Sequence, residues 1–124
     1  MKARIISEIK ETVILYKYGE YREVIGRITA KQGFTLVQTD NASEKLGYLT
    51  GFKGFPAAAD VSEADSGCMV ISGISGKKLD TLLNALRENG VKIPLKAVVT
   101  ASNQSWTIKQ LVKELSAEHE RMGG

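Results

Sequence analysis

The chain reads as an α/β domain, a four-stranded and mainly parallel sheet with helices on both faces. Three observations predict it. Four apolar runs of strand length occur, at Thr12–Tyr18, Phe34–Thr39, Cys68–Ile74 and Leu95–Thr100. The intervening segments change to a 3.6-residue apolar period. Strand and helix patterns therefore alternate from end to end, as in successive βαβ units. About 28 residues separate the second run from the third. That is room for a parallel crossover, which needs roughly a dozen or more. The rival arrangement is a ferredoxin-like α+β sheet in which residues 41–67 elaborate one loop.

Each element has its own warrant. The first and third runs are almost continuously apolar, as strands buried on both faces should be. The second alternates more towards Gln38 and Thr39. The fourth follows Pro94, which is tolerated at a strand start. Tyr21, Val24, Ile25 and Ile28 share one helical face, and Gly33 ends that helix. Asn41 with Glu44 suggests a capping box on a short helix at Ala42–Thr50. Leu79, Leu82, Leu83 and Leu86 mark the strongest stripe, with Leu83 at its middle. Ser75 is the expected cap of that helix, and Asn89-Gly90 its stop. A last helix carries Ile108, Leu111, Val112, Leu115, His119 and Met122 on one stripe. Residues 51–66 combine Gly, Pro, Ala and acidic groups, which predicts an irregular segment with raised mobility around Gly54 and Ala57–Ser66.

Composition narrows the function classes. With 124 residues, 43% of them apolar, the chain fits one domain spanning 1–124. A domain of this size can bury roughly two-thirds of its unfolded surface without a staple. One Cys and one His among these residues argue against a disulfide or a Cys- or His-based metal centre, so no metal and no cofactor is expected. The start Met1-Lys2-Ala3-Arg4 does not continue as a leader, because Ser7, Glu8, Lys10 and Glu11 interrupt it. Val13-Ile14-Leu15 is too short for a membrane span, and Met122-Gly123-Gly124 offers no lipidation motif. These features predict a cytoplasmic protein, no membrane association and a reduced Cys68.

Charge is uneven: residues 1–40 carry +2, residues 41–75 carry −2, residues 76–99 carry +3 and residues 100–124 are neutral. Lys77, Lys78, Arg87, Lys92 and Lys96 form the basic concentration. Solvated helix surface accounts for it better than a phosphate-tracking stripe, so nucleic acid is not an expected partner. Lys53-Gly54-Phe55 resembles the opening of an RNA-stacking strand, but Pro56 and Ala57–Ala59 break that pattern. A mobile loop whose Phe side chains close over the core explains it more simply.

Chemistry-bearing motifs are few. Gly73-Ile74-Ser75-Gly76-Lys77-Lys78 resembles the end of a phosphate-binding loop, yet Ile71 stands where Gly is required and Lys78 where Ser or Thr is. A tight turn with a helix cap is the simpler reading. Cys68 begins an apolar strand and reads as an inert thiol. His119 reads as partly buried and dipole-stabilised at a helix end. No nucleophile–base signature is recognisable, so the catalytic residues are unassigned and the balance favours a non-enzyme.

The richest segment is Leu95 to Trp106. A strand ends at Thr100, and Asn103 or Ser105 can cap the following helix. On a regular helix Trp106 would sit about 160° from Ile108, off the core stripe. It then either folds back on the core or covers a ligand or partner. The stretch 73–119 resembles a bacterial family of small proteins of unknown function. The resemblance rests on Ser72-Gly73, Leu79/Leu82/Leu83, Leu95-Lys96-Ala97, Thr100, Asn103, Trp106, Glu114-Leu115 and Glu118-His119. It implies no reaction, cofactor or partner.

Two function classes follow. One is a non-catalytic binding or protein-interaction module, with self-association as one form of partnership. The other is a small metabolite-binding enzyme or sensor with a site where strand ends meet helix starts. There Ser75 and Gly76 would hold an anion, Lys96 would add charge, and Thr100, Asn103 and Trp106 would complete the lining. Against this, Lys96 on an edge strand also serves simply to discourage edge pairing.

Overall fold

The computed structural model describes residues 10–121. Strand β1, Thr12–Tyr16, is followed by a 3-10 turn at Gly19–Tyr21 and by helix α1, Arg22–Gln32. Strand β2 is Thr35–Thr39, helix α2 Leu46–Leu49 and strand β3 Cys68–Ser72. Helix α3 is Gly76–Glu88, strand β4 Lys96–Val98 and helix α4 Ile108–Arg121. The expected n-region at Met1–Arg4, the interrupting Ser7 and Glu8, Met122 and the terminal glycines lie outside the described residues.

The sheet order is β2-β1-β3-β4. Both outer pairs are parallel, each a βαβ unit closed by α1 or α3. The central β1–β3 pair is antiparallel. The sheet is therefore mainly parallel, but the long connection is not a crossover. Thr39 pairs with Tyr16, and Tyr16 pairs with Cys68, so that connection starts and ends at the same end of the sheet. Helices on both faces and two parallel pairs distinguish the fold from the ferredoxin-like alternative.

All ten residues of β1 and β3 are buried. Alternate side chains feed two cores. Val13, Leu15, Met69 and Ile71 meet Ile25 and Ile28 of α1 and Leu82 and Leu86 of α3. Ile14, Tyr16, Cys68 and Val70 meet Leu46 of α2 and Ile108, Leu111 and Val112 of α4.

Local chemistry sets the element ends. β1 stops early because Lys17 and Tyr18 adopt φ of 67° and 62°, a left-handed conformation that costs non-glycine residues energy. Burial, and next the charge of Glu20, raise the Tyr18 phenol above its ordinary range. Gly33, at φ 80°, closes α1 through its N–H to Ala30 and Thr29 carbonyls, as expected. Ser75 holds the N-cap position of α3 without a side-chain cap hydrogen bond, so the expected hydroxyl cap is absent.

The helix expected at Ala42–Thr50 shrinks to one turn, Leu46–Leu49. Asn41 accepts from Ser43 N as a cap would, but its carboxamide is shared with residues 60–62, and the Glu44 carboxylate is engaged by the loop. Asn41 Oδ1 accepts from Ser43 N at 3.0 Å and Ser62 N at 3.1 Å, and Asn41 Nδ2 donates to Asp60 O. Glu44 Oε1 accepts from Ala58 N at 2.8 Å. Residues 51–66 form no helix or strand, as expected, yet they are tethered in this way and by Ala64 N donating to the buried Tyr16 hydroxyl at 2.9 Å.

On α3, Leu82 is fully buried whereas Leu83 is only partly so, which moves the centre of the stripe by one residue. Leu82→Ala should therefore cost about 2–5 kcal/mol, more than Leu83→Ala. Lys78→Ala, which removes an exposed pair with Glu11, should cost within about 1 kcal/mol. Denaturant midpoints for the three variants check this order.

Candidate functional site

The opposed directions of the two βαβ units divide the strand carboxyl ends between the two ends of the sheet. Ser75, Gly76, Thr100 and Asn103 follow the ends of β3 and β4, at one end. Lys96 opens β4 and belongs to the other end. The six residues singled out in the sequence thus fall into separate groups.

Asn103 has structural work of its own. The Leu95 carbonyl and Val99 N–H bond to β3, so the alternate groups, Val98 C=O and Thr100 N–H, face away from it. Asn103 Nδ2 donates to Val98 O at 3.0 Å, and Asn103 Oδ1 accepts from Thr100 N at 2.8 Å. The carboxamide makes the two bonds that the N–H and C=O of one residue in a fifth parallel strand would make. Thr100 Oγ1 accepts in return from Asn103 N at 3.3 Å.

Neither Asn103 nor Ser105 caps the last helix, which begins later. A capping box at Thr107 and Gln110 does so: Thr107 Oγ1 accepts from Gln110 N at 3.1 Å, and Gln110 Oε1 from Thr107 N at 2.9 Å. The pattern Thr-x-x-Gln was legible in the sequence and was the signal missed. Further first-turn amides of α4 are also engaged, Ile108 N with Glu44 O at 3.0 Å and Lys109 N with Ala42 O at 2.9 Å. In exchange, Leu46 N and Gly47 N donate to Trp106 O and Gln104 O at 2.9 and 2.7 Å. Two helix starts therefore satisfy each other. Trp106 precedes α4, so the helical-wheel offset does not apply; it packs, partly buried, on the core beneath α4.

Cys68 is buried, and loss of solvation pushes its thiol up to about 12. His119 is exposed, not partly buried as its stripe position suggested, because only the first turns of α4 reach the core. Among the described residues no group of three or more His, Cys, Asp or Glu is placed to hold a metal ion, and no helix is long and apolar enough to cross a membrane.

Sequence reasoning missed a different feature. A cavity of about 600 Å³ opens between the C-terminal half of α3, the turn after it and the start of β4. Met69, Leu83, Leu86, Val91, Ile93 and Pro94 supply its apolar wall, and Arg87, Lys92 and Lys96 stand at it. The basic concentration at residues 76–99 was its only sequence signal. A smaller, polar cavity of about 250 Å³, at the other parallel pair, involves Lys17, Arg22 and Asp40.

Residues 68–122 match the family described as Domain of unknown function (DUF3783). The stretch matched by DUF3783 contains β3, α3, β4 and α4, and every lining residue of the 600 Å³ cavity falls within it. No curated protein and no solved structure matches the chain.

Two outcomes test these assignments. Asn103→Ala leaves the Val98 and Thr100 groups unpaired at an open sheet edge, so it should lower stability by about 1 kcal/mol and promote self-association. Denaturation and sedimentation velocity read the two effects. For Cys68, the folded thiol binds its proton more firmly than the unfolded one. Its contribution is complete below the ordinary thiol range and is lost as pH rises towards about 12. At pH 8 a thiol-specific disulfide reagent should label Cys68 only as fast as the protein unfolds, and labelling across a denaturant series should track circular dichroism.

Proposed function

We propose that the protein is a non-catalytic binding module that takes a small, largely apolar molecule into the cavity between α3 and β4. The observation that carries this reading is the cavity itself. Its volume of about 600 Å³ and apolar wall are those of small-molecule sites, which run to roughly 300–1,000 Å³. The turn at Gly90, where φ is 73°, folds Val91 and Ile93 back towards α3, and Val91 N donates to Leu86 O at 2.9 Å. That turn forms one side of the wall.

Absence of catalysis is part of the same reading. The thiol is raised and buried in the sheet, and the imidazole lies far along α4, so neither is set beside the cavity. A lone thiol kept from solvent fits a reducing cytoplasm. The earlier anion site would have to use Ser75 and Gly76 without Asn103, whose carboxamide is engaged at the β4 edge.

The test is a neutral apolar dye, Nile red, whose emission rises in a dry site. It should bind the native protein with saturable stoichiometry. Leu83→Trp, which fills the cavity, should abolish that signal while the melting temperature stays within a few degrees. Unchanged dye binding in a folded Leu83→Trp protein would place the dye elsewhere and remove the basis of the reading.

A further inference from the structure

We infer that the cavity selects an amphipathic anion, a single apolar chain ending in a carboxylate or similar group, whose charged end is met by Arg87, Lys92 and Lys96. The inference rests on the binding reading above and adds the ligand class.

Every ionisable side chain lining the cavity is a cation. None of the three forms a salt bridge among the described residues. Two are also held in place. Lys96 Nζ donates to Ile93 O at 2.6 Å, which pins the ammonium to the turn and leaves two N–H donors for a ligand. The Arg87 guanidinium donates to Asn84 Oδ1, one turn earlier on α3. Fixed donors lose less freedom on binding than free side chains do.

The ordinary explanations cover only part of this arrangement. Arg87 in the last turn of α3 complements the helix dipole. Lys96 on β4 blunts an edge. Neither explains Lys92, nor why all three flank one apolar wall. Cations beside a low-dielectric surface focus potential into it and so favour an anion with an apolar body. A carboxylate facing all three would place its chain along Leu83, Leu86 and Val91, which line the cavity.

Decanoate, decanol and decyltrimethylammonium share a chain length and differ in charge, so calorimetric titration of the three isolates the head group. Decanoate should bind at least tenfold more tightly than decanol, and the cation should not bind detectably. Higher salt should weaken decanoate but not decanol. Arg87→Gln/Lys92→Gln/Lys96→Gln should erase the difference between decanoate and decanol while decanol binding persists. The single variant Lys92→Glu gives the same reading if the triple variant does not fold. Anionic phosphatidylglycerol vesicles should not sediment with the protein.

Equal affinity for decanoate and decanol overturns the charge assignment and leaves the cavity reading standing. Nile red binding without any decanoate binding overturns the ligand class alone. Loss of all three ligands and of Nile red removes both. Vesicle binding in place of free decanoate would make the cations a membrane-facing patch and overturn the inference.

Discussion

The pairing of β1 with β3 is the contact on which the remaining structure depends. Both strands are buried along their whole length, and both faces of both strands carry helices. Their antiparallel register fixes where everything else can stand. It points the two βαβ units in opposite directions, places β2 and β4 at the edges, and sends the ends of β3 and β4 away from those of β1 and β2. The order is unchanged when the two units exchange places, so each edge is closed by its own helix, α1 or α3. A site at one parallel pair is consequently independent of a site at the other.

The second layer is secured differently. Helix α4 docks through apolar side chains, but its angle is set by the exchange of main-chain bonds between residues 42–47 and 104–109. Each helix start is a cluster of unpaired donors, and each finds its acceptors in the approach to the other. Those donors would otherwise be available to an anion. The stability of this layer and the lack of a free anion cradle there have one cause.

Much of this was legible in the sequence. The four strands, the two long amphipathic helices and the Gly33 and Gly90 stops follow from period and turn chemistry, which act locally. The antiparallel centre was not legible, because residues such as Ile14 and Val70 read the same in either direction when both faces are buried. The polar residues around the turns were the harder problem. Asn41, Glu44 and Asn103 are good caps by type, yet each is used by a segment distant in sequence or by a sheet edge. Lys96, singled out in the sequence together with Ser75 and Asn103, lines the cavity between α3 and β4, apart from those two. Arg87 and Lys92 read as solvated surface in the sequence, because the apolar wall beside them comes from β3, α3 and the following turn together.

The buried Tyr16 hydroxyl, which receives the Ala64 amide, ties the central strand to a loop 48 positions later. Strand β3 follows that loop, so β1 cannot acquire its central neighbour until synthesis has passed Ser72. During synthesis β1, α1 and β2 must wait with one strand edge unoccupied and an apolar face open. Assembly is thus governed by distant encounters, which are slow compared with helix formation. The nascent chain that still lacks β3 is the stage most exposed to mispairing with another strand.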